Sequence, residues 1–167
     1  TPADIMVIRK NGNIEGKHKP SCEWPFHKAI YEIKPEMTAV IHAHPPGLVA
    51  FSIVHEVPQT DLMPLVKRVC GTIGFAPYDV PGSMALGEKI ADEFKKHPEY
   101  KGVIMENHGV VVCGSDMLDA YQRFETLENF SRIILNAKAI GTPKSLTQQQ
   151  LSAYEKAAEM PVPSFEG

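Results

Sequence analysis

The chain has 167 residues, 43% of them hydrophobic and 22% charged, with a formal net charge of −3. That is enough chain for one domain with a real core, and the composition argues against intrinsic disorder. The charge offers no basic footprint for nucleic acid, and no run approaches the ~18 uninterrupted apolar residues of a membrane span.

The opening TPADIMVIRK reads as the approach to a strand, without the pattern of a secretory leader. DIMVIRKNGN alternates apolar and polar residues and then reaches Asn-Gly, which predicts a strand and a hairpin turn. SCEWPFHKAIYEIK predicts a helix capped by Ser21, with Pro25 tolerated in its first turn and Trp24, Ile30 and Ile33 at helical spacing. TAVIHAH predicts a strand that is apolar on both faces apart from its histidines, and so is expected inside the sheet.

PGLVAFSIV predicts a short buried helix. SMALGEKIADEFKKH predicts an amphipathic one, with Leu86, Ile90, Ala91 and Phe94 as its stripe and Lys95, Lys96 and His97 at the negative end of the dipole. GVIMENHGVVVCG predicts two strands meeting at an Asn-His-Gly turn. The longest helix follows, with Leu118, Tyr121, Leu127, Ile134 and Ala137 on one side and Gly141 as its stop. A last helix is expected from Thr147 to Met160, then a Pro-containing tail. Strands and helices interleave. The expected class is α/β, a single domain over 1–167 with a central mixed β-sheet flanked by helices. Three cysteines, Cys22, Cys70 and Cys113, lack C-x-x-C spacing, which suggests reduced thiols and a cytoplasmic protein.

The stretch AVIHAHPPG carries the first chemical signal. On a strand, residues i and i+2 face the same way, so His42 and His44 present two imidazoles side by side. Each can offer a nitrogen to one ion, at about 2.0–2.1 Å if that ion is zinc. Pro45 and Pro46 end the strand, and strand ends are where open α/β sheets form their sites. Core packing is the alternative, but two adjacent buried imidazoles without an ion or hydrogen-bond partners are costly.

His108 is the best third ligand. It stands between an apolar strand and Gly109, which permits positive φ or close backbone approach; a plain hairpin turn would read the same way. His18 and His97 sit among lysines, His55 ends a segment, and His27 reads as helix packing. Glu23 opens a helix, where a carboxylate is favoured by the dipole alone. Near three histidines and a cation it becomes a fourth ligand or a general acid/base.

Together these residues resemble the class II aldolase/adducin family, within it the L-fuculose-1-phosphate aldolases. The similar segments are KPSCEWPFHKAIYEIKPEMTAVIHAHPPGLVAFS, GFAPYDVPGS and MENHGVVVCGSDMLDAYQRFETLE, and the nineteen residues from Glu23 to His42 fit the family spacing. The resemblance implies His42, His44 and His108 as ligands of one Zn²⁺ per chain, with Mn²⁺ or Co²⁺ as other ions that imidazole suits. It implies Glu23 as catalytic acid/base and Ser21 with the backbone around Cys22 as holders of the substrate phosphate.

The implied reaction is retro-aldol cleavage of a small-molecule sugar phosphate to dihydroxyacetone phosphate and an aldehyde. The implied assembly is a homotetramer, with no nucleic-acid or membrane partner. Cys22 stands where many aldolases carry serine, and a thiol is the poorer donor. The resemblance further leads to the expectation that residues 1–167 lack the family's N-terminal phosphate-binding segment, and a catalytic tyrosine is not placed. Epimerases of this pattern carry Asp where Glu23 stands, which favours the aldolase; a dehydratase or decarboxylase on the same site is not excluded by that residue. Adducin-like interaction modules lack the histidine set.

Overall fold

A computed structural model of the chain describes residues 1–159. The hairpin expected from DIMVIRKNGN is present as β1 (Val7–Ile8) and β2 (Ile14–Glu15), antiparallel and separate from the main sheet. The main sheet contains β3 (Ala39–Ala43), β4 (Gly74–Ala76), β5 (Gly102–Met105) and β6 (Gly109–Gly114), in the order β3-β6-β5-β4. β6 runs antiparallel to both β3 and β5, and β4 runs parallel to β5. The sheet is mixed, as the sequence suggests. Among the described residues no helix is long and apolar enough to cross a membrane.

Alternation along the central strands sorts the core into two halves. Val103, Met105, Val111 and Cys113 face α1 (Trp24–Ile33) and α4 (Met84–Lys96), meeting Phe26, Ile30, Leu86, Ile90 and Phe94. Ile104, Val110 and Val112 face the other way, toward α2 (Pro46–Ile53), α3 (Pro64–Cys70) and α5 (Met117–Ile140). The result is three layers, helices on both faces of one sheet. Near-complete burial of both faces explains why β5 and β6 read as continuous apolar runs. A final helix, α6 (Gln148–Ala158), is capped by Thr147 through a reciprocal capping box with Gln150. The expected end of that helix at Met160 and the Pro-containing tail lie outside the described residues.

Three expectations need correction. β3 is an edge strand rather than an interior one, pairing only with β6 among the described residues. Its apolar run reports packing against helices at Ala39 and Val40, which does not require partners on both edges. Ser21 is not the cap of α1; the helix starts three residues later, with Glu23 at the boundary, and the Ser21 hydroxyl accepts the Glu23 N–H at 3.2 Å in the preceding turn. On α5, Leu127 and Ile134 are buried as expected, but Leu118 and Tyr121 are 65% and 49% exposed. The buried row runs through Ala120, Leu127 and Ile134. At about 100° per residue, Tyr121 is a quarter-turn off that row and Leu118 is nearly opposite.

Candidate metal centre

Val40 belongs to the α1/α4 half of the core, and His42, two residues on, projects the same way. Its ring meets Phe26 of α1 edge-on at 5.1 Å. His44 lies one residue beyond β3, where Pro45 and Pro46 turn the chain into α2, and its ring centroid is 4.7 Å from that of His42. The expected shared face of the H-x-H pair is present.

His108 arrives from the β5–β6 turn. Its ring is 5.0 Å from His42 and 4.9 Å from His44, and one ligand nitrogen from each of the three histidines lies within 4.8 Å of the others. The turn divides its backbone demands between neighbours. Asn107 takes the left-handed conformation, with φ of 52°, which asparagine tolerates better than most residues. Gly109 answers the other demand, close approach: a Cβ there would stand 2.6 Å from both the Ala43 carbonyl oxygen and the His44 ring. Only glycine lets the two histidine-bearing segments lie this close.

Hydrogen bonding prepares these rings for a cation. The Nδ1 of His42 lies 3.0 Å from the Val110 carbonyl oxygen, so Nδ1 carries the proton and Nε2 keeps its lone pair. That Nε2 is buried and has no partner in the protein, as is Nδ1 of His108. Burial holds the pKa of both rings below the ordinary histidine value; for His108 the Glu23 carboxylate partly opposes this. Both are therefore neutral near pH 7, the state that ligates. Two imidazoles with buried, unpartnered nitrogens, His42 and His108, converge with the solvent-exposed ring of His44, a donor set that fits a divalent ion such as Zn²⁺.

Glu23 completes the corner. Its Oε1 lies 3.8 Å from Nε2 of His108, its Oε2 is buried without a partner, and it makes no capping bond to its own helix. Ser21 and Cys22 are exposed beside it. His27 packs on Phe26 at 4.7 Å, as expected of a helix-packing histidine.

His55 has more to do than end a segment. Its Nε2 lies 3.0 Å from Oδ1 of Asn107 and 3.2 Å from Oε1 of Glu106, while Oε2 of Glu106 accepts the Tyr78 N–H at 2.7 Å. This cluster braces the turn that presents His108. Glu-Asn before His-Gly was the available signal, since two polar residues end a fully apolar strand there.

The family model described as Class II Aldolase and Adducin N-terminal domain matches residues 1–135. The chain belongs to this family. It is 36% identical over 134 residues to a 3-oxo-tetronate 4-phosphate decarboxylase of Haemophilus influenzae, covering 77% of this chain and 62% of that protein. It is 32% identical over 133 residues to an L-fuculose phosphate aldolase of Methanococcus maripaludis, covering 80% of this chain and 70% of the relative. Among solved structures it is similar to an L-fuculose 1-phosphate aldolase, with a TM-score of 0.82 and 26% identity over 96% of this chain and 74% of that one. The class II aldolase/adducin fold thus accounts for the three layers.

Proposed function

We propose that the chain is a zinc-dependent lyase of the aldolase type, cleaving a ketose 1-phosphate such as L-fuculose 1-phosphate to dihydroxyacetone phosphate and an aldehyde. The observation that carries this reading is the convergence of three imidazoles with a carboxylate that has a buried, unpartnered oxygen. His42, His44 and His108 would hold the ion. A divalent cation there supplies Lewis acidity, drawing developing negative charge off the substrate's oxygens.

Cleavage also needs protons moved. The hydroxyl on the departing aldehyde carbon loses its proton as the carbon–carbon bond breaks. The three-carbon product gains one at the carbon that has lost its neighbour. Glu23 would carry this exchange; its position beside the histidines, free of any helix-capping bond, supports that role. Ser21 and the backbone around Cys22, exposed next to Glu23, would hold the phosphate at the lip of the site. A cytoplasmic homotetramer is the setting that the family resemblance implies.

A second reading has a specific observation behind it, the 36% identity to a decarboxylase acting on 3-oxo-tetronate 4-phosphate. Loss of carbon dioxide beside a carbonyl asks the same of this site, Lewis acidity and a returned proton. Elemental analysis, combined with assays on both substrates, tests the pair. About one zinc per chain with dihydroxyacetone phosphate released from L-fuculose 1-phosphate is expected. Zinc with release of carbon dioxide only would move the assignment to the decarboxylase, and absence of bound metal would overturn both.

A further inference from the structure

Glu128 is a carboxylate in mid-helix on α5, only 8% exposed, with no part in the chemistry above. It reaches across to the first turn of α2, the helix that begins two residues after His44. Its Oε1 accepts the Gly47 N–H at 3.0 Å and its Oε2 accepts the Leu48 N–H at 3.0 Å. Arg132, one turn further along α5, donates to Oε1 at 2.6 Å.

Helix α2 needs this help. The first N–H groups of a helix have no partner within it, and α2 brings no side chain to meet them: its boundary residue is Pro45, and Pro46 has no N–H at all. Gly47 and Leu48 are the first donors available, and both are taken by a residue some eighty positions away. Negative charge at a helix N-terminus is stabilising in its own right.

The position of that turn bears directly on the histidines. Between His44 and Gly47 stand two prolines with φ locked near −65°, so displacement of the α2 start is passed to His44 with little slack. At its other end α2 meets the His108 turn, where the Asn107 N–H donates to the Ser52 carbonyl at 3.2 Å. One short helix therefore spans from one ligand segment to the other, and Glu128 fixes its origin.

We propose that Glu128 is a positioning residue of the histidine centre, holding the first turn of α2 so that His44 converges with His42 and His108. This rests on the reading of those histidines as metal ligands. Gly47 offers a second route to the same interface: a Cβ there would stand 2.8 Å from Oε2 of Glu128, 3.1 Å from Cβ of Ser131 and 3.2 Å from Cγ of Arg132, pushing the carboxylate and the α5 face off the turn while leaving the Glu128 charge in place.

The test is titration of the metal-stripped full chain with Co²⁺ alone, reading both affinity and the visible ligand-field band, beside thermal unfolding of each variant. Glu128→Gln and Gly47→Ala should each weaken cobalt binding by about tenfold or more and alter the band, as supporting residues of metal sites do. Arg132→Met, which leaves both N–H acceptors in place, should bind within about twofold of the parent. Lower Tm in Glu128→Gln and Gly47→Ala with cobalt affinity and band unchanged would overturn the proposal, leaving Glu128 a purely structural cap. A parent chain that takes up no cobalt would instead overturn the ligand reading itself, and this inference with it.

Discussion

Two carboxylates meet helix starts near the histidine pair, Glu128 reaching the start of α2 from mid-α5 and Glu23 standing at the start of α1, and their surroundings are opposite. Glu128 meets the first turn of α2 with both oxygens filled, by two backbone N–H groups and an arginine. Glu23 stands at the start of α1 with one oxygen buried and unpartnered and the other 3.8 Å from His108. A buried polar atom without a partner costs about 1–3 kcal/mol, which a fold sustains where something else completes it. The difference fits two roles that residue type alone cannot tell apart: a satisfied carboxylate suited to holding structure, and an unsatisfied one suited to the proposed proton transfer.

The largest expected effect breaks the reactive side at its root. His42→Ala removes the imidazole whose Nδ1 is already fixed on Val110, and the variant should retain no zinc after dialysis, measured by elemental analysis. Stoichiometric zinc in that variant would show that the convergence of rings is packing. Next comes Glu23→Gln, which should keep the metal while kcat falls by roughly 10²–10⁴, the range for loss of a positioned acid/base. Full activity in that variant would remove Glu23 from the proton path. The same swap at Glu128 should have a different signature, with stability lowered by about 1–3 kcal/mol in urea unfolding and metal binding weakened rather than turnover abolished. Identical behaviour of the two Glu→Gln variants would erase the distinction.

The histidines and Glu23 could be singled out from the sequence, and Glu128 could not. H-x-H, the His-Gly turn and a helix-opening Glu are local patterns, and strand periodicity alone sets His42 and His44 on one face. Glu128 sits among polar and apolar neighbours of a long helix, where a charged residue ordinarily faces water. The one trace was indirect: Pro-Pro-Gly opens α2 with no side chain able to accept its first N–H groups, so an acceptor had to come from elsewhere. Distant pairing hid the edge position of β3 in the same way, since its apolar composition matches that of an interior strand although only Ala39 and Val40 are fully buried. Leu118 and Tyr121 are apolar and at helical spacing, yet they fall off the row set by Ala120, Leu127 and Ile134.

A smaller effect sharpens the comparison through pH. Burial, helped by the nearby His42, pushes His27 down to about 4, and burial also lowers His42 and His108. The same residues in an unfolded chain titrate near 6.5. Between about pH 6.5 and 4 the unfolded state therefore binds protons that the folded state refuses, and stability falls as the solution is acidified through that window. The urea midpoint of the metal-stripped chain should drop from pH 7 to pH 5, and His27→Gln should flatten part of the drop. His27 lies on α1 against Phe26, and the rings of His42 and His108 follow it through the Phe26 contact, whereas Glu128's bonds to α2 and Arg132 involve no histidine. Mild acid should accordingly loosen α1 before α5, visible as earlier loss of amide-exchange protection. Simultaneous loss in both helices would mean that the two halves of the core open as one unit, and that the difference between the two carboxylates is confined to their own contacts.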